Sequence, residues 1–401
     1  MNTAWKKIKL GDLLTIKHGW AFKGEYFCSE GELILLTPGN FHEEGGFKIQ
    51  IGKEKFYSGA FPKEYLLKKD DLIIAMTEQG AGLLGSPAIV PQNDRFLHNQ
   101  RLGLLQIDHQ KAITKYIYYL FFTKEVRNSI FSTATGTKVR HTAPKRIYNI
   151  EINLPPLETQ TRIANILSAY DDLIENNLRR IKLLEEMAEL TYREWFANFK
   201  IGGKPLEIDK NTGLPLGWER RSLTLLGEFL NGYAFKPEDW EESGFPIIKI
   251  KELKGGISND TPRNNGSKIP SKFIVKSGDI LFSWSASLEV VVWQGETGLL
   301  NQHLFKVTPF SKIPKSLLFL ALKDSLNIFN NLSTGATMKH IKRKELDFVE
   351  IPIPQQDILN QFDNVISPII KQTLNLSHQN RLLKESRDIL LPRLMSGKIG
   401  V

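Results

Sequence analysis

A single cysteine, Cys28, stands in 401 residues. The chain therefore has no disulfide framework and no cysteine-based zinc module of its own. No apolar run approaches the ~18 residues that would suggest a membrane helix; the longest, Tyr116 to Phe122, has seven. The opening MNTAWKKIKL lacks the apolar stretch of a signal peptide, so a soluble cytosolic protein with no membrane contact is expected. There is no P-loop and no Asn/Asp-Pro-Pro-aromatic methyltransferase motif, and the eight histidines show no metal-ligand spacing. Acid is in short supply: 44 Asp and Glu face 53 Lys and Arg, a net charge of +9 that favours an anionic partner, most often nucleic acid. With 41% hydrophobic and 24% charged residues the chain is not disordered, and its length suits two or three domains.

What the sequence does have is itself, twice. Gly19-Trp20-Ala21-Phe22-Lys23 recurs 213 residues later as Gly232-Tyr233-Ala234-Phe235-Lys236, each preceded at the same offset by a tryptophan, Trp5 or Trp218. Lys69 to Ile73 resembles Ser277 to Leu281, and Asn99-Gln100-Arg101-Leu102 matches Asn301-Gln302-His303-Leu304. Ala134-Thr135-Gly136 through His141 matches Ser333-Thr334-Gly335 through His340. Order is kept and the offset drifts as loop insertions would make it drift, so the chain is two diverged copies of one unit.

Within each copy, short β-rich runs alternate with Gly and Pro turns: Leu33–Leu36, Leu72–Met76 and Leu102–Ile107, then Ile247–Ile250, Ile280–Ser283 and Leu304–Val307. Helical segments at about Ile113–Phe131 and Pro314–Asn331 follow, then last strands Ile147–Leu154 and Phe348–Ile353. The mixture is α+β.

Each copy ends in a different kind of segment. From Glu158 to Phe199 there is neither Pro nor Gly, and Ile163, Leu167, Tyr170, Ile174, Asn177, Ile181, Leu184, Ala188, Thr191 and Trp195 keep a 4-3 spacing. Phe362, Ile366, Ile369, Thr373, Leu376, Asn380, Leu383, Arg387 and Leu390 repeat it at an offset of 199. Such a stripe is a coiled-coil seam, in which Asn177 and Asn380 can fix register. A helix of this length runs about 60 Å and projects from a small domain. Pro368 predicts a kink or a late start in the second. The expected domains are 1–155 and 218–353, globular; 156–200 and 354–401, long helices; and 201–217, a linker. Antiparallel pairing of the helices would give a pseudo-twofold molecule with two inverted heads, a symmetry that suits paired half-sites on a duplex.

Charge follows the repeat. Lys111 to Arg146 holds eight bases and one acid, and Lys312 to Lys344 seven and one, whereas Glu158 to Phe199 holds five bases and eight acids. Basic residues at equivalent places would supply salt-dependent affinity for phosphates.

In this order and duplicated, the motifs resemble the specificity (S) subunits of type I restriction-modification systems. Leu154-Pro155-Pro156-Leu157-Glu158-Thr159-Gln160 is similar to that family's opening of its helical conserved region. Leu390-Leu391-Pro392-Arg393-Leu394-Met395-Ser396-Gly397-Lys398-Ile399 is similar to its C-terminal signature, while Ile351-Pro352-Ile353-Pro354-Gln355-Gln356 departs by lacking the double proline. Gly19 to Lys23 and Thr135-Gly136-Thr137 match recurring elements of the recognition domains. The resemblance implies a subunit without a catalytic site that binds a bipartite, asymmetric double-stranded DNA target, one half per recognition domain, with the helix pair as ruler for the spacer. It also implies two modification subunits, which bind S-adenosylmethionine and methylate adenine, and two restriction subunits using ATP and Mg.

Base edges are read by Arg, Lys, Asn, Gln, Ser, Thr and their like. In the first copy the expected contacts are Thr77 and Gln79, with Lys138, Arg140, Lys145 and Arg146 beside Gly136. In the second they are Ser283 and Ser285, with Lys339, His340, Lys342 and Arg343. The Gly19 and Gly232 motifs read as packing elements. The recurring Asn-Gln motifs also read as structural, because two domains that read different bases should not share their readers. Gly80 to Gly85 spells G-x-G-x-x-G, yet Ser86 to Val90 reads as a strand where a dinucleotide site needs a helix. Cys28 reads as a small core residue. Two further readings are an enzyme whose site is not visible, disfavoured by the duplication, and a two-headed coiled-coil adaptor for proteins.

Overall fold

The computed structural model describes residues 5–50, 52–78, 82–258, 260–285, 287–332, 341 and 343–401. Two compact units divide the chain: Met1–Asp172 with Leu383–Val401, and Leu173–Leu382.

In the first unit Leu14–His18, Leu102–Ile107, Leu72–Ala75 and Pro87–Ile89 form an antiparallel sheet in that order. Leu72–Ala75 is apolar throughout because both its faces are covered. Leu72 and Ile74 belong to the core beneath the helices, while Ile73 and Ala75 belong to a second, smaller core. Alternate side chains of a strand point to opposite faces, so a central strand needs this continuous run. The smaller core lies against a sheet of very short strands: Phe27–Cys28, Phe56–Tyr57, Ile34–Leu35 and Phe96–Leu97, the last two parallel. Cys28 is half-buried in it, at the edge and outside the cores. The expected helical stretch is two helices, Thr114–Leu120 and Lys124–Ser132, and the expected last strand begins later, with Pro144–Tyr148 helical and Glu151–Leu154 extended. That strand pairs with Lys6–Lys9 and runs directly into the long helix.

The second unit repeats the plan. Gly227–Asn231, Leu304–Pro309, Ile280–Ser283 and Glu289–Val292 form the antiparallel sheet. Again one strand is shared between cores, with Ile280 and Phe282 on one side and Leu281 on the other. Phe245–Ile248 and Gly298–Leu300 supply the parallel pair, and Glu219–Ser222 clasps Glu350–Ile353. Residues expected to form a plain linker carry a small hairpin, Lys200–Ile201 with Lys204–Pro205.

Leu157–Phe196 and Gln356–Met395 are helices of 40 residues each. The second starts at Gln356 and continues through Pro368 and Pro392, so the late start expected from Pro368 does not occur. Pro368 is exposed while its neighbours Ile366 and Ile369 are anchored in the core, and that burial offsets the one amide hydrogen bond a proline cannot make. Every stripe residue of both helices is buried or half-buried. In the first unit Ile163 and Leu167 share a core with Leu391, Leu394 and Met395; in the second Ala188, Tyr192 and Phe196 share one with Phe362, Ile366 and Ile369. The start of one helix thus meets the end of the other in each unit, an antiparallel pairing. Arg387, a cation within an apolar stripe, is answered by Asp171 at 2.6 Å, whose other oxygen accepts the Tyr119 hydroxyl at 2.6 Å. Asn177 donates to the Asn380 side chain at 2.9 Å. Among the described residues no helix is long and apolar enough to cross a membrane.

Candidate nucleic-acid interface

The motifs that recur along the sequence come together at one end of each main sheet. In the first unit Trp20 donates its backbone N–H to His98 at 2.8 Å and accepts from Gln100 at 3.0 Å. Met76 donates to the Arg101 carbonyl at 2.9 Å and accepts from Thr142 at 3.0 Å. Four loops, distant in sequence, are thereby stitched side by side through their main chains. The glycine motif is what permits the closest of these approaches, since a Cβ on Gly19 would stand 2.1 Å from the Asn99 carbonyl oxygen. The second unit repeats it: Tyr233 donates to Leu300 at 2.8 Å, Ile341 donates to Trp284 at 2.9 Å, and a Cβ on Gly232 would stand 2.1 Å from the Asn301 carbonyl oxygen.

Thr77–Glu78 pairs with Arg140–His141, so the two expected contact regions of the first copy are neighbours. Thr135 and His141 exchange backbone hydrogen bonds at 3.0 and 2.8 Å, closing a tight loop at whose turn Gly136 takes φ +102°. A side chain at that position would meet the Val139 carbonyl. Lys138 is exposed on this loop; Arg140 is half-buried and lies over the Phe131 ring, 4.2 Å from its centre. Thr77 is half-buried and Lys145 exposed. Arg146, in contrast, donates to the Thr133 carbonyl at 2.7 Å and to the Thr135 hydroxyl at 3.2 Å, so it braces the loop from behind.

The segment that spells G-x-G-x-x-G ends in a turn, and the next element is the strand Pro87–Ile89. Buried Glu78 holds its described part by accepting from the amides of Gly82, Leu83 and Leu84 at 2.9–3.1 Å. Arg127 donates to the carbonyls of Glu43 and Gly82; burial pulls its pKa below the usual guanidinium range, with nearby Glu78 opposing.

These assignments thin the basic cluster. Arg127 and Arg146 serve backbone carbonyls, and Lys111 reaches Asp108 at 2.9 Å and the Asp12 carbonyl at 3.1 Å. In the second unit Lys323 pairs with Glu189 at 2.7 Å. Lys115, Lys124, Lys138 and Lys145 stay exposed in the first cluster, and Lys312, Lys315 and Lys344 in the second.

Ser283 is fully buried and its hydroxyl donates to the carbonyls of Ser285 at 3.3 Å and Ser287 at 2.8 Å; Ser285 is also buried. Neither is presented outward, which corrects their placement among the base contacts. Gln79, Lys339, His340 and Lys342 lie outside the described residues, as does the Arg343 side chain. Arg101 belongs to the recurring Asn-Gln motif that reads as structural in the sequence. It is exposed on the stitched platform, two positions beyond an asparagine whose role is structural. The available signal was that the third position of Asn-Gln-x-Leu differs between copies while the frame repeats.

Two copies of one sheet-and-helix domain, each presenting a locked platform of loops and each continuing into a 40-residue helix, define a duplicated recognition protein. A family model described as the type I restriction modification DNA specificity domain matches residues 2–186 and 215–378, and the chain belongs to that family. It is 26% identical over 308 residues to the MjaIX type I restriction enzyme specificity subunit of Methanocaldococcus jannaschii, covering 72% of this chain and 70% of that one. To the HindI specificity subunit of Haemophilus influenzae it is 22% identical over 468 aligned residues, covering 98% and 99%. A crystal structure of the type I restriction-modification S subunit from M. genitalium, 16% identical, superposes with a TM-score of 0.59 over 98% of this chain and 97% of that one, and shares the fold.

Proposed function

We propose that this chain is the specificity subunit of a type I restriction-modification complex. It binds double-stranded DNA at a bipartite, asymmetric site, each repeat reading one half, while the paired long helices set the spacer and hold the modification subunits. The chain supplies recognition and no catalysis; two modification subunits with S-adenosylmethionine perform adenine methylation, and two restriction subunits with ATP and Mg perform cleavage. The observation that carries this reading is that the family match falls once on each repeat, with the same loops stitched together in both. The exposed lysines beside them, Lys138 and Lys145 among them, suit phosphates, which position a protein on a duplex without choosing sequence.

The test is affinity for random-sequence duplex against salt, measured with the companion modification subunit present. A log–log slope near −0.9 for each phosphate neutralised is expected, and charge reversal at Lys138 with Arg140 makes the slope shallower. A flat plot refutes DNA binding. Lengthening both helices by two turns widens the tolerated spacer; an unchanged spacer refutes the ruler.

A further inference from the structure

The Asn-Gln motif divides into a frame and two presented side chains. Asn99 is the frame: its side-chain oxygen accepts the Arg101 amide at 2.9 Å and its carbonyl accepts the Leu102 amide at 2.9 Å, closing the turn. Asn301 does the same, accepting the His303 amide at 3.5 Å and the Leu304 amide at 3.0 Å. The turn is also pinned from both sides, by Gln100 to Trp20 and by Met76 to Arg101. What this rigid turn presents is Gln100 and Arg101, both exposed, and neither side chain has a hydrogen bond or ion pair among the described residues.

The second copy presents Gln302 and His303 at the same place. Their side chains approach each other at 3.4 Å. Gln302 Oε1 and His303 Nδ1 are shielded from solvent and have no hydrogen-bond partner among the described residues. Shielded polar atoms without partners are costly, and two of them side by side mark a place where a polar ligand completes the bonding. The sequence difference is equally specific. Asn, Gln and Leu repeat, whereas the third position changes from Arg101 to His303. A phosphate contact would call for a permanent cation in both copies, and histidine is a poor substitute for one. A base contact would call for different residues in copies that read different bases.

We propose that Arg101 and His303 are specificity-determining residues, each reading a base edge in the half-site of its own repeat. Arg101 donates its guanidinium fork to O6 and N7 of a guanine in the major groove, the pairing its geometry fits. His303 reads a different base from the equivalent turn. This inference rests on the DNA-recognition reading above and adds which residues choose the sequence.

The experiment uses the full chain assembled with its modification subunit and a randomised duplex library, with bound sequences and salt dependence recorded for wild type, R101A, R101K and H303A. For R101A the expected result is a roughly ten- to hundred-fold loss of preference at one guanine position of one half-site, with the other half unchanged. R101K keeps the charge without the fork and loses part of that preference. H303A alters only the other half. The inference is overturned if R101A weakens all sequences alike and lowers the salt slope by about one, which is the signature of a phosphate contact, or if R101A leaves the recovered target unchanged. A wild-type assembly that recovers no sequence at all refutes the DNA reading itself, before any variant is compared.

Discussion

Gln160 is the most informative single residue for the way the long helix is fixed to its domain. It is 1% exposed, and its side chain makes three hydrogen bonds. Nε2 donates to the carbonyls of Lys111 at 3.0 Å and Pro155 at 2.9 Å, and Oε1 accepts the amide of Ile113 at 3.1 Å. One side chain therefore ties the strand–helix junction to the residue that caps Thr114–Leu120. Replacing it with leucine keeps the volume but leaves a buried amide without an acceptor, at a cost of about 1–3 kcal/mol, and removes a bond of about 1 kcal/mol from each carbonyl. Added apolar burial returns about 1 kcal/mol, so the net loss is about 2–4 kcal/mol. The second copy offers the control. Gln356 reaches the equivalent Lys312 carbonyl at 3.2 Å but is exposed, so water replaces it in Q356L at a cost below about 0.5 kcal/mol. With a urea m-value of about 3 kcal/mol/M, Q160L unfolds the first unit about 1 M earlier than wild type and Q356L barely shifts the second. Urea unfolding with exchange of the Ile113 amide as local readout measures both. Equal shifts for the two variants would refute the clamp.

Other consequences follow from the same contacts. Gly19→Ala and Gly232→Ala force a Cβ to within 2.1 Å of a carbonyl oxygen and destabilise by about 2 kcal/mol or more, whereas Gly24→Ala, with nothing within 4 Å, is neutral or better in denaturant titration. Asp171→Ala strips the partner from the Tyr119 hydroxyl and one of two carboxylates from Arg387, which keeps Asp388 at 2.8 Å, and costs about 1–3 kcal/mol by thermal unfolding. His98, fully buried and bonded to the Leu102 carbonyl at 3.0 Å, has its pKa pushed down by burial to about 4. The unfolded chain takes up that proton near pH 6.5 and the folded chain only near 4, so stability falls as pH drops between those values. An NMR titration that places this ring near 6.5 would contradict it.

Much of this architecture was legible because duplication writes it twice. The stripe from Ile163 to Trp195 names the buried face of a helix, since heptad spacing and burial are the same fact. The Gly19 and Asn99 motifs read as structural, and the fold supplies the reason: they are the two sides of one close approach. What stayed hidden depends on partners far away in sequence. Nothing local distinguishes Arg127 and Arg146, spent on carbonyls of other loops, from exposed Lys138. Ser283 carries the chemistry of a base reader, and only its burial and its bond to the Ser287 carbonyl show the hydroxyl turned inward. Pro368 read as the place of a kink or late start because propensity is local, whereas Ile366 and Ile369 hold that turn through tertiary packing. Strands of two residues, such as Phe27–Cys28 and Phe56–Tyr57, are too short to show any period.

Exchange of residues 1–155 for the corresponding domain of another family member, followed by genome-wide mapping of methylated adenines with the modification subunit co-expressed, tests the central claim most directly. One half of the target changes while the other half and the spacer stay as they were. A target altered in both halves, or in neither, would contradict recognition by two independent domains.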